Sequence, residues 1–175
     1  MAKNIEKYTY FDLFSIDASL HIELDALEKN YLNLQSKYHP DRFKDETQKA
    51  EAMNVSQVLN KAYDTLKDQF QRRVYLLNLH GINIIDEKYR FNTSEEILSE
   101  VFELRAKIEN NNDPDELNEF KAFASKAYNE MLLKFDSLYV ENRYIDCGHF
   151  LASALFYHKL LEEIDLRMSK AYANS

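Results

Sequence analysis

The sequence has few of the residues that make tight turns, disulfides and metal sites. Its 175 residues include two glycines, two prolines and one cysteine. A protein built of strands and tight turns would need more, since average usage is about 7% glycine and about 5% proline. The lone Cys147 excludes an intramolecular disulfide and any cysteine-based zinc, iron–sulfur or CxxC redox centre. We therefore expect an all-α protein without a metal or other cofactor.

Basic residues are outnumbered by acidic ones. The chain carries 22 Lys and Arg against 30 Asp and Glu, a net charge of −8. This balance argues against binding to a polyanion such as nucleic acid or an acidic membrane surface. The first ten residues lack the apolar core of a signal peptide, and no segment has the pattern of a membrane span. The sequence predicts a cytoplasmic protein with neither nucleic acid nor membrane as a partner.

The charge is divided unevenly along the chain. Residues 1–80 hold 11 basic and 12 acidic residues, whereas residues 81–175 hold 11 and 18. Gly81 lies at the divide, after the apolar run at residues 74–77, where a helix C-cap or hinge is expected. We predict two domains, residues 1–80 and 81–175, that face different partners.

Apolar residues recur at spacings of three and four in five segments, the pattern of amphipathic helices. The stripes are Leu24, Leu27, Tyr31, Leu34 and Tyr38; Ala52, Val55, Leu59, Ala62 and Leu66; Ile97, Val101, Leu104 and Ile108; Leu117, Phe120, Ala124, Ala127, Met131, Phe135 and Leu138; and Phe150, Ala154, Tyr157, Leu161, Ile164 and Met168. Asp113 and Pro114 are expected to cap and start the fourth of these helices. The predicted fold is an N-terminal helical hairpin followed by a C-terminal antiparallel three-helix bundle.

The tip of the predicted hairpin carries His39-Pro40-Asp41, the HPD loop. Pro40 should end the preceding helix and hold the imidazole and the carboxylate in solvent, an arrangement suited to recognition by a partner. Catalysis is disfavoured because neither a Ser, Cys or Thr nucleophile nor a desolvated pocket accompanies the pair. The alternative reading is that Pro40 merely ends one helix and Asp41 caps the next.

The surroundings of the HPD loop carry a family resemblance. The loop lies between two amphipathic helices, after the segment YFDLF at residues 10–14 and before NKAYDTL at residues 60–66, and this arrangement resembles the J-domain of DnaJ-type co-chaperones. The continuation RRVYLLNLHG at residues 72–81, followed by an acidic three-helix bundle, is similar to the bacterial form of the HscB family over essentially the whole chain. The first domain is then the J-domain and the second a scaffold-binding bundle.

The resemblance implies a co-chaperone without catalytic activity of its own. Such a protein delivers an iron–sulfur cluster scaffold (IscU-like) to an Hsp70-class chaperone (HscA-like) and stimulates the chaperone's ATPase through the HPD loop. The implied chaperone-binding residues are His39, Pro40, Asp41, Lys29, Lys37 and Arg42, and the implied scaffold-binding residues are Leu98, Phe102, Glu103 and Phe156. Two positions depart from the family pattern, with Ser99 where a larger apolar residue is usual and Ala106 where an acid is usual.

Helical geometry gives an independent reason to single out three of the scaffold-binding residues. Leu98 and Phe102 each follow a residue of the third stripe, so they point roughly 100° away from the core, and Phe156 is offset in the same way from Tyr157. Exposed apolar clusters usually mark interaction sites. The alternative is that these residues contact the J-domain or widen the core of the bundle.

Two other functions remain open from the sequence. A J-domain adaptor for a different client would share every feature of the first domain, and a pull-down with purified scaffold separates it from the first reading. A helical enzyme using His39 and Asp41 would turn over a substrate without any chaperone present. His158 and Glu162 are spaced like two metal ligands on one helix face, but two ligands do not fix a metal, and no metal site is predicted.

Overall fold

The computed structural model describes residue 5 and residues 7–85, 93–109 and 111–173. The main elements are α1 (Tyr10–Leu13), α2 (Leu24–Lys37), a 3₁₀ turn (Pro40–Arg42), α3 (Glu46–Lys67), α4 (Gln69–Leu79), α5 (Glu95–Glu109), α6 (Pro114–Val140) and α7 (Tyr144–Ala173). The prediction of an all-α fold is confirmed. Within the described ranges, no helix combines the length and the apolar character needed to cross a membrane.

The chain divides into two compact units, Met1–Leu76 and Leu77–Ser175, and the division falls within α4. The unit boundary lies four residues before the predicted one, because the last turn of α4 packs with the second unit. His80, just beyond α4, stacks on Tyr144 with ring centroids 3.7 Å apart. Gly81 has a φ of +75°, and the backbone N–H of Ile82 donates to the carbonyl of Leu77 at 3.0 Å. This is the αL glycine cap expected at the end of this helix.

The first unit is built on the hairpin of α2 and α3. Thr9 and Asp12 form a capping box at the start of α1, and this short helix places Phe11 and Phe14 in the core. Behind the hairpin, Tyr10 stacks on Tyr75 of α4 with centroids 4.3 Å apart. These contacts join α1 and α4 into one core with the hairpin, so the hairpin has a fixed base from which its tip projects.

The second unit is the predicted antiparallel three-helix bundle. An ion pair joins Lys121 of α6 to Asp165 near the end of α7 at 2.6 Å, whereas the buried thiol of Cys147, near the start of α7, donates to the Phe135 carbonyl near the end of α6. These pairings show that α6 and α7 run antiparallel. Their connecting turn ends α6 with Asn142 at a φ of +59°, a left-handed conformation that asparagine tolerates better than most residues.

Helices α5 and α7 run parallel to each other. Glu100 accepts a hydrogen bond from the Tyr157 hydroxyl, and Arg105 pairs with Glu163 at 2.9 Å. The residue that is later in α5 therefore contacts the residue that is later in α7. At the turn before α6, Asp113 caps the helix by accepting from the Asp115 N–H at 2.9 Å, and Pro114 occupies its first turn, as predicted. One core cluster of the bundle contains Leu104, Ile108, Leu117, Ala124, Leu160, Ile164 and Ala171.

Candidate functional site

A polar network between α2 and α3 fixes the hairpin that carries the HPD loop. The Ser56 hydroxyl donates to the Gln35 side-chain oxygen at 2.9 Å, and Asn60 accepts from both Gln35 and the Tyr31 hydroxyl. Tyr31 also stacks on Tyr63 with ring centroids 4.2 Å apart. Because α2 and α3 are joined by specific side-chain hydrogen bonds as well as by apolar packing, their relative register is fixed. This register also fixes the position of the HPD loop that connects the two helices.

The HPD loop is a 3₁₀ turn built around His39. Helix α2 ends at Lys37, and Pro40 occupies the first turn of the short 3₁₀ segment, so proline ends the helix as predicted. The His39 Nδ1 accepts a hydrogen bond from the Asp41 backbone N–H at 3.3 Å. A neutral ring whose Nδ1 accepts carries its proton on Nε2. The loop thereby offers a partner one N–H donor from His39.

The two polar side chains of the loop are largely exposed. The His39 side chain is 56% exposed and the Asp41 side chain 90%, and the His39 Nδ1 lies 3.6 Å from the Asp41 Oδ2. Exposed groups of this kind suit recognition, with the Asp41 carboxylate available to an arginine of a partner. Asp41 does not cap α3, because Asp45 does so by accepting from the Gln48 N–H at 3.0 Å. The alternative role for Asp41 as a helix cap is therefore wrong.

Arg42 has a role that sequence reasoning missed. Its Nη1 donates to the Ser36 carbonyl at 3.0 Å and so ties the loop back to the last turn of α2. The sequence predicts Arg42 only as a chaperone-binding residue, because a bond to a helix carbonyl six residues earlier has no signature in the sequence. Gln35, Ser56 and Asn60 were also missed, although polar residues beside the apolar stripes of two facing helices are a detectable signal.

The basic residues expected to support chaperone binding lie on the surface. Lys29, Lys37 and Arg42 are all exposed, and the Lys37 Nζ lies 5.4 Å from the centroid of the Tyr38 ring. The same helix also exposes Asp25 and Glu28. Lys37 and Arg42 accordingly flank the HPD loop, whereas Lys29 lies more than two turns earlier on α2, and the three cations do not form a surface of one sign.

The second set of predicted residues lies on α5 and α7 of the bundle. Phe102 is 75% exposed and Leu98 41%, and a separation of four residues puts both on one face of α5. Glu103 is exposed beside Phe102, as are Ser99 and Ala106, the two departures from the family pattern. The two apolar residues together form an exposed patch on α5.

The third predicted apolar residue, Phe156, lies on α7. Although it was predicted to be exposed, Phe156 is half-buried. The neighbouring Tyr157 donates its hydroxyl to the Glu100 carboxylate, and burial together with this hydrogen bond raises the pKa of Tyr157. We call Leu98, Phe102 and Phe156 the apolar patch. Leu98 and Phe102 lie on α5 and Phe156 lies on α7, and the Glu100–Tyr157 hydrogen bond holds these two helices together.

Comparison with known proteins identifies the family. The family model of the DnaJ domain matches residues 9–75, from the cap of α1 to the middle of α4. A co-chaperone protein HscB homolog of Paraburkholderia xenovorans is 34% identical over 134 residues, which span 74% of this chain and 75% of the relative. The co-chaperone protein HscB of Proteus mirabilis is 33% identical over 138 residues, which span 73% and 79%. This chain belongs to the HscB family of co-chaperones.

Solved HscB structures share the fold. The chaperone HscB from Vibrio cholerae matches with a TM-score of 0.80 and 25% identity, over 94% of this chain and 99% of that one. The human co-chaperone protein HscB matches with a TM-score of 0.82 and 25% identity, over 91% and 81%. Within this HscB-family chain, the HPD loop falls inside the DnaJ-domain match and the apolar patch lies outside it. The two candidate sites therefore belong to different parts of the family architecture.

No metal centre adds to these two sites in the part of the chain that the structure describes. There, no three His, Cys, Asp or Glu side chains are grouped so that they could hold a metal ion. The Nε2 of His158 lies 3.6 Å from the Glu162 carboxylate, an i,i+4 contact along α7. Burial raises the pKa of the Cys147 thiol to about 11, so this group is a protonated thiol at neutral pH.

Proposed function

We propose that this protein delivers an iron–sulfur cluster scaffold of the IscU type to an Hsp70-class chaperone of the HscA type and stimulates that chaperone's ATPase. The observation that carries the proposal is the exposed HPD loop between α2 and α3. This loop lies within residues 9–75, which match the DnaJ domain. The protein works in the bacterial cytoplasm and has no catalytic site of its own. In this role the ATP is bound and hydrolysed entirely by the chaperone.

The first half of the proposal concerns the chaperone. His39 supplies a hydrogen-bond donor, Asp41 supplies an exposed carboxylate, and Pro40 keeps both in a fixed relation. Lys29, Lys37 and Arg42 add positive charge around the loop, which favours docking on an acidic surface. Contacts that are better in the hydrolysing, tight-holding state of the chaperone shift its population toward that state. Stimulation thus requires only binding energy from the loop.

The second half concerns the scaffold. Leu98 and Phe102 present apolar area that is not used in the bundle core, and Phe156 extends this area onto α7. Glu103 stands at its edge and suits a basic residue of the scaffold. Because the two sites occupy different units of one chain, simultaneous binding raises the effective concentration of scaffold and chaperone for each other.

The test of the chaperone contact is the chaperone's steady-state ATPase rate in the presence of this protein and of two histidine variants. His39→Gln should lower the stimulation about tenfold or more, since a hydrogen bond to a charged or strongly polar partner contributes about 1.5–3 kcal/mol. The matched control is His21→Gln, which changes another exposed histidine of the same unit and should stimulate normally.

The same variants distinguish the proposed function from its alternatives. Scaffold affinity, measured by titration calorimetry, should be unchanged in His39→Gln. Full stimulation by His39→Gln contradicts the role of the loop. Stimulation with no measurable binding of the scaffold means that this J-domain protein serves another client. Turnover of ATP by the protein alone contradicts a role without catalysis.

A further inference from the structure

A groove runs between the C-terminal turns of α5 and α7. It encloses about 330 Å³ and is lined by Arg105, Ile108, Glu109, Glu163, Leu166, Arg167 and Lys170. Ile108 is buried and forms part of the bundle core, whereas Leu166 is 60% exposed. An exposed leucine at the wall of a groove offers apolar area that the bundle itself does not cover. We call this feature the α5–α7 groove.

The groove continues the side of the bundle on which the apolar patch lies. Arg105 follows Leu98 by seven residues on α5, and Glu163 follows Phe156 by seven residues on α7. Residues seven apart lie on the same side of a helix. Because α5 and α7 run parallel, Arg105 and Glu163 lie in the same direction from Leu98 and Phe156. The Arg105–Glu163 ion pair, 2.9 Å long, consequently lies two turns, about 10 Å, beyond Leu98 and Phe156, and about 5 Å beyond Phe102. A single extended or helical segment of a partner spans that distance.

The charge of the groove differs from that of its surroundings. Its lining includes three cations and two carboxylates, a net charge of +1, whereas residues 81–175 carry 11 basic and 18 acidic residues. Arg105 is paired with Glu163, and the Arg167 Nε donates to the Asn111 carbonyl at 2.7 Å. Both arginines are therefore engaged within the chain. Lys170 is exposed at the end of the groove, and it is the cation that an incoming carboxylate meets.

We propose that the α5–α7 groove is a second subsite of the scaffold-binding surface. It takes an apolar side chain of the scaffold against Leu166 and an acidic side chain at Lys170. The proposal rests on the proposed function, since the occupant is the scaffold that the apolar patch binds. Glu103 beside the patch favours a basic partner residue and Lys170 an acidic one, so the two ends of the surface select opposite charges and fix the direction in which the scaffold lies.

The test is titration calorimetry of the full-length protein with purified scaffold, at low and at moderate salt. Leu166→Ala should weaken binding about three- to tenfold, the loss expected for a partly covered leucine. Lys170→Glu should weaken it about tenfold at low salt and less at moderate salt, because the contact is electrostatic and exposed. Lys170→Arg should bind normally because it keeps the charge.

Matched controls lie on α6, outside the groove. Leu133 is 68% exposed and Lys126 is exposed, so Leu133→Ala and Lys126→Glu repeat the same chemical changes and should leave affinity within about twofold. All four substituted side chains are exposed, and circular dichroism spectra should therefore be unchanged. If the groove variants bind no worse than their controls, the subsite proposal is overturned.

The calorimetry also separates failure of the subsite from failure of the proposed function. If Phe102→Ala weakens scaffold binding while Leu166→Ala and Lys170→Glu do not, the proposed function stands and the groove is not a subsite. If the unchanged protein does not bind the scaffold, both proposals fall. If Leu166→Ala abolishes a concentration-dependent dimer in sedimentation without changing scaffold affinity, a second copy of the chain occupies the groove, and the proposal is again overturned.

Discussion

Phe102 gives the sharpest quantitative prediction for the apolar patch. An aromatic side chain buries about 200 Å², and Phe102 is 75% exposed, so a tightly fitting scaffold would cover about 150 Å² of it. At about 25 cal/mol per Å², full coverage is worth about 4 kcal/mol. Side-chain ordering and incomplete coverage leave about half of this, so Phe102→Ala should cost about 2 kcal/mol of binding free energy, a roughly thirtyfold weaker Kd.

Titration calorimetry with purified scaffold measures this loss. The matched control is Phe123→Ala, which removes an aromatic ring that is 47% exposed on α6 and should change affinity less than about twofold. Thermal unfolding should be nearly unchanged in Phe102→Ala, because the ring does little in the core. An equal loss in both variants, or no loss in Phe102→Ala, would refute the reasoning that exposure on this face of α5 marks the scaffold contact.

Two further predictions concern stability and reactivity. Gly81→Ala should lower the free energy of unfolding by about 1–2 kcal/mol in urea titration, from the cost of a left-handed L-residue alone, because an added Cβ meets no atom within 4 Å. Gly81→Asn should lose less, and equal stability of all three proteins would contradict this. Cys147 should react with Ellman's reagent at pH 8 at least about a hundredfold more slowly in the folded protein than in urea. The reason is that its raised pKa of about 11 lowers the fraction of thiolate. Rapid labelling of the native protein would contradict the burial of this thiol.

Periodicity predicted the helices well and their exact buried faces less well. In α3, all five residues of the predicted stripe are buried. In the long helix α6, the buried residues near its middle are Tyr128 and Leu132, whereas the predicted Ala127 and Met131 are only half-buried. A helix packed against two neighbours buries a broad face, and one-dimensional spacing does not say which edge of that face is covered more deeply.

A different limit applies at the start of α2. Leu24 fits the predicted stripe but is 49% exposed, whereas Leu27 one turn later is fully buried. Periodicity assigns every turn of a helix to the core, but burial also needs a neighbouring element at that level. The sequence pattern of α2 holds no information about where α1 and α3 reach along it.

The candidate sites were predictable to the extent that their residues are local in the sequence. The HPD loop is contiguous, so His39, Pro40 and Asp41 could be read directly, and the offset of Phe102 from the core stripe indicated its exposure. The bond from Arg42 to the Ser36 carbonyl depends on the path of the loop and has no sequence pattern. The α5–α7 groove was also missed, because it arises from residues about 60 positions apart that only the parallel packing of two helices brings together.

The central claim is tested most directly by the ATPase rate of an HscA-type chaperone, measured with this protein, with the scaffold, and with both. The account predicts that the protein alone raises the rate, that protein and scaffold together raise it further than the sum of their separate effects, and that the protein without chaperone hydrolyses no ATP. The rate with both should return to that with scaffold alone when His39→Gln replaces the natural protein. An ATPase rate that this protein leaves unchanged, with or without scaffold, would contradict the account.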